Sequence, residues 1–170
     1  MSLPQITFDA LRAMPDLLER SFLAMPAELR DWEPSSWEAI PGERFSALGQ
    51  LCHVRDIELE GYRLRIARML AEENPDLVSI DSYELAKARN YPAEDWRGAI
   101  DAFRVARAET LRQIDNLTDA QWARSGTFAE YGHLTLQSLL HYLSSHDQQH
   151  LACMNWLLGK AAAHLTSAAS

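Results

Sequence analysis

Apolar positions recur at three- and four-residue steps in four segments, and each predicts a helix. Over residues 8–25, Leu11, Met14, Leu18, Phe22 and Met25 fall on one side. Pro15 lies inside this segment, so the helix kinks there or a regular stretch starts there, and Pro26 closes it. Over 47–73 a broad apolar side holds Leu48, Leu51, Cys52, Leu59, Tyr62, Ile66 and Met69. Ser46 is its natural N-cap and Asn74-Pro75 its stop. Over 93–117, Trp96, Ile100, Phe103, Ala106, Thr110, Ile114 and Leu117 form a seam. Thr118-Asp119 reads as a fresh cap for a short turn around Trp122. The fourth helix spans 135–158, with Gly159 as its C-terminal stop.

The connections carry the remaining signal. Trp32, Pro34, Trp37, Pro41 and Gly42 mark an irregular link whose tryptophans pack over one end of the helices. Residues 74–92 are polar and mixed, with one helical turn near 83–88. A loop with Gly126 and Gly132 precedes the last helix, and strand signal is weak throughout. The pattern predicts an all-α four-helix bundle over residues 1–160, with a long connection between helices 2 and 3 and a flexible tail at 161–170. Such a link can cross over as well as turn, so up-down-down-up and up-down-up-down both remain open.

Composition narrows the function classes. The 170 residues carry 24 acidic and 16 basic side chains, a net charge of −8. No Lys/Arg cluster offers a phosphate footprint, which argues against nucleic acid. No apolar run approaches the ~18 residues of a membrane span. Two cysteines, Cys52 and Cys153, are too few for a disulfide framework, and the start lacks a leader pattern, so a reduced, cytoplasmic setting is expected.

The candidate chemistry lies in the histidines. His146 and His150 are four apart, about 40° around a helix and one turn along it. They share the apolar line of Leu139, Leu143, Cys153 and Leu157, so both rings point inward. Buried imidazoles need partners. A divalent metal satisfies both, and hydrogen bonds or water do so as well. His53, inside the second helix, is the best third ligand, although it lies off the main apolar side with Gly49, Ile57 and Leu64. His141 is about 140° from His146 around the helix and cannot share a metal with it. His133 and His164 read as solvated, and Cys153 as a buried apolar residue before a fourth ligand.

Other motifs fit poorly. His146-Asp147-x-x-His150 has Asp where zinc proteases have their catalytic Glu, and no third ligand follows at their spacing. Glu130-x-x-His133 contains Gly132 and has no second copy, which excludes a di-iron site. No nucleotide-binding, nucleophile-elbow or Cys-x-x-Cys pattern occurs.

An ordered set of segments resembles the DinB-like (DinB/YfiT) family. Leu11-Arg-Ala-Met-Pro15-Asp-Leu-Leu18 leads to Trp32, Trp37 and Phe45-Ser46. Leu51-Cys-His53-Val-Arg-Asp56-Ile-Glu58 follows, then Arg65-Ile66, Pro75 and Asp81. Gly132-His-Leu-Thr135-Leu-Gln-Ser-Leu-Leu140, with His141, His146-Asp147-x-x-His150 and Leu151, completes it. The resemblance implies a four-helix bundle, a homodimer, and one divalent metal, nickel or zinc, on His53, His146 and His150. It further implies an S-transferase or isomerase using a low-molecular-weight thiol (bacillithiol, mycothiol or glutathione), or a hydrolase, acting on a small molecule.

Three neutral imidazoles would leave a metal its full charge and open positions. It could hold a thiol as thiolate or lower the pKa of bound water toward ~7. Asp56 and Glu60, one and two turns from His53, are candidates for orienting a ring or acting as a base. Asp147 is expected at the bundle edge, and Arg55 and Arg63 are candidates for gripping a carboxylate. The competing reading is a non-catalytic bundle whose histidine site is structural or binds a ligand only. A small-ligand module without metal is the third.

Overall fold

A computed structural model describes residues 3–129 and 131–168. Its helices are α1 (Gln5–Ala24), α2 (Ala47–Asp56), α3 (Arg63–Ala71), α4 (Ser82–Arg89), α5 (Trp96–Ile114), α6 (Asp119–Trp122) and α7 (Leu136–Ala168). A π-helical segment, Ile57–Tyr62, joins α2 to α3 without a break. The expected caps form: Ser46 Oγ accepts from the Gly49 N–H at 3.1 Å, and Thr118 makes a capping box with Gln121.

Helices α1, α2–α3, α5 and α7 make the bundle. Two core clusters fix its directions. One joins Leu18 and Phe22 of α1, Leu48 and Leu51 of α2, Ile100 and Phe103 of α5, and Met154 and Leu157 of α7. The other joins Leu11, Ile57, Ile66, Ile114, Leu139 and Leu143. Thus α1 and α7 run one way, and α2–α3 and α5 the other. The order is up-down-down-up, the alternative that a long second connection permits. Each of α1 and α2 packs chiefly on α5 and α7, so these consecutive helices face each other diagonally.

Pro15 sits in the middle of α1 and is buried. It has no N–H for the Leu11 carbonyl, which a helix residue at this position normally bonds. The Arg107 Nη1 donates to that carbonyl instead, at 2.9 Å.

Three features differ from the sequence pattern. Helix α7 runs through Gly159 to Ala168, where a stop was expected, and His164 of its last turns packs on Trp32 at 5.1 Å. A small sheet forms where no strand was expected: β1 (Asp76–Leu77) lies parallel to β2 (Ser125–Phe128), and β2 pairs antiparallel with β3 (Gly132–Thr135). Four-residue strands rich in Gly and Thr leave little periodic signal. Finally, every residue of α2 is buried, because α4 and the turn at Tyr91–Ala93 cover the side that α5 and α7 leave. A helix enclosed all round has no single apolar face to read. The tryptophans behave as expected, with Trp37 stacked on Trp156 at 5.9 Å and 12°.

Candidate metal centre

The two core clusters meet at mid-bundle, and there α2 and α7 bring three histidines together. His53 and His150 are buried, and His146 is half-buried. The Nε2 of His146 lies 3.2 Å from that of His53 and 3.1 Å from that of His150. These three rings form a group that could hold a metal ion, and no other such group occurs among the described residues.

Gln50 settles the tautomer of His150. Its Nε2 donates to the carbonyls of Glu43 at 2.8 Å and Phe45 at 3.3 Å. Its Oε1 therefore faces the His150 Nδ1, 2.5 Å away, and must accept from an Nδ1–H. The Nε2 of His150 is then bare and directs a lone pair at the centre. His146 Nε2 has two such contacts, and one ring proton serves only one of them. The second contact sets lone pair against lone pair unless a cation lies between. Protonated rings are disfavoured: burial, reinforced by His146, pushes His53 down to about 3, and burial with both neighbours pushes His150 well below the ordinary value. The Nδ1 atoms of His53 and His146 are buried without a hydrogen-bond partner.

The spacing suits a first-row metal. Ligands at ~2.0–2.1 Å stand about 3.3 Å apart in a tetrahedron and about 3.0 Å apart on one face of an octahedron. The observed 3.1 and 3.2 Å lie between these values.

A cleft of about 210 Å³ reaches His53 and His146. Ile57, Tyr62 and Phe128 supply apolar wall, and Tyr131 stands at its mouth, half exposed and stacked on Tyr142 at 4.2 Å. Arg65 lies against the Phe128 ring, 4.4 Å from its centre, and donates Nε and Nη2 to the Val78 carbonyl. Glu43 lines the same cleft, each carboxylate oxygen 3.7 Å from a ring nitrogen: Oε1 from His53 Nε2, Oε2 from His150 Nε2.

Behind His146 lies a buried ion cluster. Arg107 on α5 uses all five of its N–H groups, two on Glu58, two on Asp147 and one on the Leu11 carbonyl. Two carboxylates against one guanidinium leave one net negative charge. Asp147 Oδ1 stands 4.0 Å from His146 Nδ1. Burial raises the Asp147 carboxyl, and the Arg107 charge outweighs it, so the group stays below its ordinary value.

Other sequence candidates are placed elsewhere. Asp56 is buried beside α4, where Arg55, Arg89 (2.6 Å) and the Tyr91 hydroxyl (2.7 Å) occupy its oxygens. Glu60 pairs with Arg89. Neither lines the histidine cleft. Glu60 lies within the π segment, which adds a residue to the turn after His53, so eclipsing counted at 3.6 residues does not hold for it; Asp56, three residues after His53, faces α4 and the Tyr91 turn. Asp147 is inside, not at the bundle edge, because Arg107 provides the charge that permits its burial. Arg55 is taken by Asp56 and Glu94, and Arg63 by Glu109. Gly49 admits the Phe45 side chain: a Cβ there would stand 2.9 Å from Phe45 Cβ. His141 sits at the α1–α7 boundary, 3.4 Å from Thr7 Oγ1. Cys153 is buried and free, its thiol pushed up to about 11 by burial. Glu130 lies outside the described residues.

Glu43, Gln50 and Arg107 were not legible as site residues. Glu43 sits in an irregular link with no periodicity, and Arg107 is one arginine among many. Gln50 gave one faint signal, being a polar residue one turn before His53 in a helix of apolar neighbours.

A family model described as the DinB superfamily (DinB_2) matches residues 10–154. The chain belongs to the DinB superfamily. A comparison with curated proteins finds no match. Among solved structures, YfiT from Bacillus subtilis matches this DinB chain with a TM-score of 0.78 at 19% identity, covering 90% of this chain and 84% of that one. YfiT is described as a probable metal-dependent hydrolase with an unusual four-helix bundle topology. At this identity the likeness concerns the fold. Among the described residues no helix is long and apolar enough to cross a membrane.

Proposed function

We propose that this DinB protein binds one divalent cation, nickel or zinc, through the Nε2 atoms of His53, His146 and His150. We further propose that it is a metal-dependent enzyme acting on a small molecule in the adjoining cleft, as a hydrolase or as an S-transferase using a low-molecular-weight thiol. The observation that carries this reading is the convergence of three imidazole rings, one with its tautomer set by Gln50, on a point beside an open cleft. The description of YfiT supports the hydrolytic branch. A cytoplasmic homodimer is the form in which we expect it to work.

The division of labour follows from the residues. Gln50 holds His150 in the ligating tautomer. The Arg107 cluster places negative charge behind His146, which strengthens its ring as a donor. A bound cation would supply Lewis acidity and a water or thiol held deprotonated near neutral pH. Tyr62, Phe128 and Tyr131 cover the apolar part of a substrate and keep water from it.

Elemental analysis of protein purified without chelator should find one equivalent of metal per chain. His150→Ala should abolish it while leaving the helical circular-dichroism spectrum in place. Turnover that needs added thiol selects the transferase branch, and turnover without it the hydrolase. Stoichiometric metal with no exchangeable water or added ligand in its coordination sphere would refute the catalytic reading. Wild-type protein that takes up neither zinc nor nickel would refute the metal centre.

A further inference from the structure

We propose that Glu43 makes the cleft side of the centre selective for a ligand that keeps a hydrogen when bound, such as water, over an anion that offers only lone pairs, such as a carboxylate or azide. This rests on the metal centre proposed above and adds to it a rule for what occupies the remaining positions.

Glu43 faces the histidines without joining them. Its oxygens are 3.7 Å from His53 Nε2 and His150 Nε2, yet it is not one of the residues whose donor atoms all lie within 4.8 Å of one another. Two ligands of one metal stand at most about 4.2 Å apart, twice a bond length of ~2.1 Å. Glu43 therefore stands beside the ligand set and lines the cleft that reaches it.

The position is built. Gly42 is pressed onto α7: a Cβ there would stand 3.1 Å from both Cys153 Sγ and Gln149 Cγ. Gln149 donates to the Pro41 carbonyl at 2.9 Å, and Gln50 donates to the Glu43 carbonyl at 2.8 Å. Gln149 neighbours His150 in sequence, and Gln50 holds the His150 ring itself. The link carrying Glu43 is thus pinned by the same two helices that carry the histidines.

An ionised carboxylate only accepts hydrogen bonds. Water or hydroxide at the centre can turn a hydrogen toward it. An anion that offers only lone pairs cannot, and it meets a like charge as well, which is selection by repulsion of the wrong partner. Arg65, the cation lining the cleft, has Nε and Nη2 turned to the Val78 carbonyl.

The test uses Co²⁺ as a coloured substitute ion in the full chain. Calorimetric titration first measures Co²⁺ binding to wild type and Glu43→Gln, and visible absorption then follows azide and imidazole binding to the loaded proteins. We expect Co²⁺ affinities within about tenfold of each other, because a residue outside the ligand set only tunes the site. Azide should bind the variant about tenfold to a hundredfold more tightly, the effect of removing one unit charge a few ångströms away. Imidazole, neutral and carrying an N–H, should not gain. Glu43→Ala, which also deletes the side-chain stem, should reproduce the azide gain. Equal azide affinity in wild type and both variants overturns the proposal. So does a loss of Co²⁺ affinity beyond about a hundredfold in Glu43→Gln, since Glu43 would then be a ligand. Failure of wild type to bind Co²⁺ is a separate outcome: the metal centre falls, and this selectivity with it.

Discussion

Replacing Arg107 with Met tests the buried ion cluster directly. Arg107 is 1% exposed, Glu58 1% and Asp147 3%. The five donated bonds run from 2.6 to 3.1 Å. Although burial opposes its charge, the two carboxylates hold the guanidinium ionised. Removing it leaves two carboxylates facing each other in the core, and breaking a buried pair in this way costs about 3–5 kcal/mol. It also orphans the Leu11 carbonyl, which Pro15 cannot bond, at about 1–3 kcal/mol. The sum, about 4–8 kcal/mol, rivals the about 5–15 kcal/mol that holds an ordinary domain together. Urea unfolding followed by circular dichroism, with chelator present so that metal plays no part, should show this loss at pH 7. The triple exchange Arg107→Met, Glu58→Met and Asp147→Leu removes the charges together and should recover the about 3–5 kcal/mol of the broken pair, leaving only the about 1–3 kcal/mol of the orphaned Leu11 carbonyl. A single variant that loses less than about 1 kcal/mol would refute the reasoning. A triple variant as unstable as the single one would locate the loss in shape, not charge.

Acidification should weaken the chelated protein well above the carboxylate range. Burial, and secondarily His146, pushes His53 from 6.5 down to about 3, and His150 shifts the same way. The unfolded chain then binds protons below pH 6.5 that the folded chain refuses, so stability is full above that pH and falls as pH drops toward 3, by up to about 1.4 kcal/mol per pH unit for each ring. Urea midpoints at pH 7.5, 6 and 5 check the sign, and a flat or rising midpoint on acidification would contradict it. Gln50→Leu should lower zinc affinity about 10- to 100-fold by releasing the His150 tautomer, as measured by calorimetry. An unchanged affinity would mean that Gln50 orients nothing.

Local chemistry in the sequence determined the helices, their caps and the His146–His150 pair. Repeats of 3.6 residues, Ser46 before a helix, and two rings one turn apart are properties of a few neighbouring residues, so they can be read without the fold. Its place inside the second helix made His53 the best third candidate although periodicity left it off the apolar side, and the resemblance to the DinB-like family implied the three as one ligand set. The tertiary structure decided the rest. The π segment at Ile57–Tyr62 broke the count that aligned Glu60 with His53, and Arg55, Arg89 and Tyr91 hold Asp56 beside α4, away from the histidines. Asp147 went inward because Arg107 waits across the bundle. Glu43 reached the histidines because Gln50 and Gln149 pin its link to α2 and α7. A charged side chain goes where its desolvation is offset, and for these residues the offsetting partner is separated by tens of positions in sequence. That partner becomes a neighbour only when the up-down-down-up bundle closes.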